Sequence, residues 1–254
     1  MKNKITLTVA ITIAGLILGF ITMANASLVT IGTAEYQGNT YKLIYDDDDN
    51  NHGGGGLVWL DYTNFSSKRW IYQKVWALNL GSELTVTLFP GFTTDIDWST
   101  GWRLPETVDG HYIRGYEGDP DGDGIYTYTY GCNLANSELG HLFYTELGNI
   151  GWESTDGSIN KSPPAPYYYM QNRGDFENLY AARYWSCTNL AENPGYVWSF
   201  MLKNGWQSEW STGSFHSAYS IAVHPGTVVS AVPLPEAAWL LGPGLLGLIF
   251  IRRR

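Results

Sequence analysis

The sequence predicts an α+β domain over roughly residues 27–227, with two helices packed on twisted, mainly antiparallel sheets and joined by long loops. Three observations carry that expectation. In Gly101-Trp102-Arg103-Leu104-Pro105, Trp102 and Leu104 share a face at period two, and Pro105 ends the ladder because it has no N–H. Segments with helical spacing stand on either side, at 66–80 and 136–147. Asn204-Gly205 between apolar strands is the local signature of a type I′ hairpin. Trp59, Trp102 and Trp185 each sit in a period-two pattern and belong in the core. Arg103 points the other way, and a buried guanidinium there must meet a carboxylate or carbonyls.

Composition sets the outer bounds. A chain of 254 residues suits one domain of about 200 residues with removable or anchoring ends. Its charged fraction of 15% is low for a cytosolic domain and ordinary for an exported β-rich one. The formal charge of −9 understates the acidity. Without the five basic and one acidic residues of the two ends, residues 27–227 hold 10 basic against 23 acidic groups, a net −13. That surface repels phosphate backbones and no basic stripe offsets it, so nucleic acid is not an expected partner.

Residues 1–26 begin with Lys2 and Lys4, continue through an apolar run at 5–21, and end in Ala24-Asn25-Ala26. This order is that of a secretory signal peptide cleaved before Ser27, with the export machinery and signal peptidase as partners. An uncleaved membrane helix is the alternative. Strands follow at 28–31 and 41–45 around a Gln37-Gly38-Asn39 turn. Four adjacent carboxylates at 46–49, beside glycines at 53–56, are expected not to pack. They read as a solvated connection or as a calcium loop. Residues 57–60 form a buried strand. Ser66 or Ser67 then caps a helix to about Leu80, with Trp70, Ile71, Val75 and Leu78 on its packed face and Gly81 as a left-handed stop. A short strand at 84–89 and a Pro90-Gly91 turn complete the first half.

After Pro105, Asp119, Asp121 and Asp123 with Gly124 match the first half of a calcium loop, but position 12 is Tyr130, which excludes an EF-hand. A looser calcium turn and a polar surface loop both fit. The second helix opens at Asn136-Ser137-Glu138, places Leu139, Leu142, Phe143 and Leu147 at helical spacing, and stops at Gly148. His141 and Glu146, five apart, diverge on an α-helix and are not expected to act as a metal or acid/base pair. Residues 163–169 are extended and irregular; strands follow at 184–188, 195–202 and 219–223. Cys132 and Cys187, an even count in an exported chain, read as a disulfide or as two separate thiols.

Together with Tyr184-Trp185-Ser186 and the run Gly195-Tyr196-Val197-Trp198-Ser199-Phe200, the "WRLP" stretch resembles the Lcl C-terminal-like domain family. "GLVWLDYTN" at 56–64 and "SELGHLFYTELGN" at 137–149 are similar to its exported, sorting-tailed branch. The resemblance implies a C-type-lectin-like fold. This chain departs from the family where 106–136 intervenes before the second helix. His224 stands where the family often has Arg, and Cys187 where it usually has a small residue. At the other end, Val232-Pro233-Leu234-Pro235-Glu236-Ala237 leads to an apolar run at 238–251 and to Arg252, Arg253 and Arg254. This resembles the VPLP variant of the PEP-CTERM sorting tails, without their Pro-Glu-Pro. It implies an exosortase-type protease, a Gram-negative bacterium that makes exopolysaccharide, and a membrane-anchoring or cleaved segment at 228–254. Terminal arginines put that end in the cytoplasm and the domain outside.

The expected function is that of an exported, non-catalytic protein of the cell surface or exopolysaccharide matrix, glycan-binding or adhesive. Trp198, Trp206 and Trp210 around the hairpin are the candidate sugar contacts. Calcium at Asp119, Asp121 and Asp123 is the candidate cofactor, beside the calcium-loop alternative at 46–49. A rival is an enzyme resembling the formylglycine-generating oxidases, which share the C-type-lectin-like fold. It would need a reactive cysteine pair or clustered metal ligands, whereas His52, His111, His141, His216 and His224 are scattered along the chain. A ligand-free structural matrix protein is the third reading.

Overall fold

The computed structural model describes residues 28–47, 55–66, 69–109, 130–132, 137–154, 156–191, 193–213 and 216–230. The signal segment with Ala24, Ala26 and Ser27, the Asp119, Asp121 and Asp123 turn, and the tail from Pro233 to Arg254 lie outside them. In chain order the elements are β1 (Val29–Tyr36), β2 (Asn39–Asp46), β3 (Leu57–Asn64), α1 (Trp70–Glu83), β4 (Thr85–Leu88), β5 (Phe92–Thr94) and β6 (Tyr130–Gly131). Next come α2 (Glu138–His141), continued by a π-helical turn (Leu142–Glu146), then β7 (Arg183–Asn189), β8 (Tyr196–Met201), β9 (Trp206–Ser211), β10 (Ser220–Pro225) and β11 (Val228–Ser230).

This is a mixed α+β architecture, and its paired strands run antiparallel. One sheet has the order β10-β3-β2-β1-β4, a second β6-β9-β8-β7, and a short ribbon pairs β11 with β5. The β1–β2 hairpin turns on Gln37 and Gly38, at φ 50 and φ 78, the left-handed pair that a two-residue turn requires. Along the central strands, side chains alternate between two cores. Val58, Leu60, Leu43 and Ala222 enter one; Leu57, Trp59, Ile44, Ile221 and Val223 enter the other. The five-stranded sheet is therefore covered on both faces, by α1 on one side and by α2 with the π-turn on the other. Trp59, Trp102 and Trp185 are buried as their patterning predicts.

The Trp102–Leu104 stretch is held to β10 by reciprocal hydrogen bonds between Arg103 and Val223, at 3.0 and 2.9 Å. Trp102 and Leu104 enter the core, and the Arg103 side chain leaves it to meet a carboxylate. Glu138 receives the guanidinium in a two-pronged pair at 2.7 and 2.6 Å and also accepts the Glu106 N–H at 2.7 Å. Ser137 caps α2 by accepting from the Gly140 N–H.

Two local expectations change. Helix α1 starts after Arg69, which makes no side-chain cap bond, and passes through Gly81 to Glu83; the expected cap at Ser66 is not the N-cap position, and Ser67 lies outside the described residues. Gly81 is needed because a Cβ there would lie 2.0 Å from the Ser99 carbonyl oxygen, not because it stops the helix. The buried face is Gln73, Ala77 and Leu80, whereas Ile71, Val75 and Leu78 are exposed. Hydrogen bonds outrank the aliphatic pattern here. Gln73 donates to Ser66 and Asn64 carbonyls, Trp70 to Ser186 and Trp76 to Tyr36, and these fix the rotation of the helix. At Asn204-Gly205 the hairpin forms, but its loop has four residues, since Met201 pairs with Trp206 and only Gly205 is left-handed, at φ 73. Carbonyls of Lys203, Asn204 and Gly205 accept bonds from Tyr169, Trp152 and Tyr144, contacts that a two-residue turn would not present.

Candidate functional site

The segment that leaves the π-turn builds a cleft. Gly148, at φ 60, reverses the chain after Leu147, and Asn149 and Ile150 form one wall. Asn160, Lys161 and Pro163 form another, and Tyr169, Gln171 and Asn172 close a volume of about 320 Å³. The walls are braced by amides. Asn149 Nδ2 donates to the Asn172 carbonyl at 2.7 Å, its Oδ1 accepts from the Asn172 N–H at 2.8 Å, and Asn172 Nδ2 donates to Leu147 O at 2.7 Å. Asn160 donates to Gly151 O and accepts from Ser154, while the Tyr169 hydroxyl donates to Asn160 O at 2.8 Å. Lys161 is the one charged residue of this lining, and Ile150 is 65% exposed beside it. Apolar surface edged by amides, with little charge, suits a neutral polyhydroxylated ligand.

Across the π-turn itself, beside the end of β2, three titratable side chains converge. His141 Nε2 lies 3.4 Å from Glu146 Oε1 and 3.8 Å from Asp46 Oδ1, with the three side chains 6%, 2% and 1% exposed. Two expectations are corrected here. Asp46 is buried, although the acidic run 46–49 was expected not to pack. His141 and Glu146 converge, although five residues apart on an α-helix they would diverge. The cause is the π-helical turn, whose backbone bonds span five residues, as in Leu147 N–H to Leu142 O at 2.9 Å; it brings positions i and i+5 together. Nothing in the residue types signals a π-turn, and the five-residue spacing of His141 and Glu146, read on an α-helix, argued against the cluster.

The predicted sugar contacts divide. Trp198 is fully buried, with Nε1 donating to Asp109 at 2.7 Å, and cannot stack on a ligand. Trp210 carries the Arg183 guanidinium over its ring at 4.1 Å, so one face is taken. Trp206 is half-buried and stacks on Trp152, ring centres 5.7 Å apart and planes 15° apart. The sequence placed the contacts on this hairpin and missed the cleft, whose walls come from an irregular stretch without strand or helix periodicity.

The cysteines are not brought together. Cys132 follows β6 and Cys187 lies in β7, the two edges of the four-stranded sheet, three strand spacings or roughly 14 Å apart. That exceeds the reach of a disulfide, so the pairing expectation is corrected. The register of β7 is broken between Trp185 and Asn189, and the Cys187 N–H bonds to Pro105 O instead. Burial, then the charge of nearby Glu106, pushes the Cys187 thiol up to about 12. His224 lies against Trp98 and Trp102, with Nε2 at 2.6 Å from Thr100 O and Nδ1 at 2.7 Å from Pro225 O. It occupies a site of backbone carbonyls and makes no ion pair among the described residues. No helix among the described residues is long and apolar enough to cross a membrane.

Comparison with family models, with curated proteins and with solved structures yields no match to this chain.

Proposed function

We propose that the chain is an exported, non-catalytic protein of the cell surface or exopolysaccharide matrix that binds glycans in the cleft between Ile150, Pro163 and Tyr169. The observation that carries this reading is the cleft itself: apolar faces edged by hydrogen-bonded amides, with a single charged residue in the lining. Sugars present apolar ring faces and many hydroxyls, and a braced amide wall meets both without the cost of ordering loops on binding. The domain would be of the Lcl C-terminal-like kind with a C-type-lectin-like fold. The Lys-led segment 1–26 would export it, and the VPLP-type tail that follows β11 would sort it through an exosortase-type protease. A thiol held protonated at Cys187, with Cys132 at the opposite sheet edge, favours binding over oxidase-like cysteine chemistry.

The test is a glycan array probed with the full-length chain in mild detergent, beside Gln171→Ala and Lys161→Ala variants. Both positions are exposed at the rim, so folding is expected to be unchanged. The proposal expects binding to neutral or weakly acidic polysaccharide, weakened several-fold by the Gln171 change. Binding that both variants leave intact would remove the cleft from the account. Silence across the array would favour the ligand-free matrix reading.

A further inference from the structure

We propose that Asp46, His141 and Glu146 form a site for one divalent transition-metal ion of the zinc type. The three donor atoms lie within 4.8 Å of one another, from the end of β2 and the two ends of the π-turn. His141 Nε2 points into the cluster, is almost wholly buried, and makes no hydrogen bond among the described residues; at 3.4 Å its approach to Glu146 lacks hydrogen-bond geometry. A buried imidazole nitrogen aimed between two carboxylate oxygens is the arrangement a cation completes.

The donor set and spacing narrow the ion. Calcium and magnesium take oxygen ligands, whereas imidazole with carboxylates suits zinc and its neighbours. Metal–ligand bonds of about 2.0–2.1 Å in a tetrahedral site place neighbouring donors about 3.4 Å apart. The observed 3.4 and 3.8 Å are close to that spacing. A divalent ion bound there would offset the charge of its two carboxylate ligands, in a site where burying charge is costly. Three protein ligands leave a fourth position for water or for a further ligand. The ion would also pin β2 to the π-turn, whose exit at Leu147 and Gly148 becomes the cleft wall. The inference does not depend on the glycan reading.

The experiment strips the full-length chain with a chelator, confirms the fold by circular dichroism, and titrates zinc, cobalt, manganese and calcium by calorimetry. The proposal expects one zinc per chain, a higher melting temperature with zinc than with calcium, and a visible absorption band when cobalt is bound. Glu146→Gln and His141→Gln are each expected to lower zinc affinity at least about a hundredfold. Absence of stoichiometric zinc binding to the folded wild-type chain would overturn the proposal. So would calcium bound in preference to zinc, or zinc affinity unchanged in both variants. Because stoichiometry is read on the wild-type chain, a variant that fails to fold does not decide the matter.

Discussion

Gly205 shows how one residue can carry two requirements. Its backbone is left-handed, and a Cβ there would stand 2.1 Å from the Tyr144 hydroxyl oxygen and 2.9 Å from the Phe143 ring. Gly205→Ala is expected to cost about 2 kcal/mol or more in urea unfolding, since strain and overpacking add. Arg103 and Glu138 form the charged pair against the core. Burial alone would lower the basicity of the guanidinium, but the bonds and charge of Glu138 hold it above its ordinary value. Glu138→Ala removes one member of a pair whose carboxylate side chain is 0% exposed. Its expected cost is about 3–5 kcal/mol, read from the same unfolding curves. Cys187 offers a kinetic check. With its thiol pushed up to about 12, alkylation by iodoacetamide at pH 8 should be slow in the folded chain and fast in denaturant. Rapid modification of the native protein would contradict the burial described for it.

At the scale of elements, what could be read from the sequence followed from periodicity and side-chain chemistry. The β1–β2 turn, the buried strand at Trp59, the Trp102–Leu104 face and the opening of the second helix at 136–138 were all legible because each rests on two or three adjacent residues. The need of Arg103 for a carboxylate was legible too, though not its identity, because Glu138 is 35 residues away. Helix α1 was placed but turned the wrong way, since its rotation is set by the long-range bonds of Gln73, Trp70 and Trp76. The expected consequence is measurable. Val75→Lys and Leu78→Lys should change stability by no more than about 0.5 kcal/mol, while Leu80→Ala should cost about 2–5 kcal/mol. Equal losses at Leu78 and Leu80 would restore the rotation that the aliphatic pattern suggests. The π-turn escaped for a different reason: its extra residue per turn has no residue-type signature, and with it went the convergence of His141 and Glu146.

For the whole molecule, the five-stranded sheet buried on both faces joins the two functional proposals. One core takes α1; the other takes α2, the π-turn and the irregular stretch from Leu147 to Leu179 that forms the cleft. The cluster of Asp46, His141 and Glu146 and the cleft wall at Asn149 are thus joined through one short turn, the first spanning it and the second following its exit. The central claim is that glycan meets the protein in that cleft, and hydrogen–deuterium exchange with and without a bound polysaccharide tests it most directly. New protection is expected to be confined to 148–150, 160–163 and 169–172. Protection centred instead on the β8–β9 hairpin around Trp206 and Trp210, with the cleft amides unchanged, would contradict it.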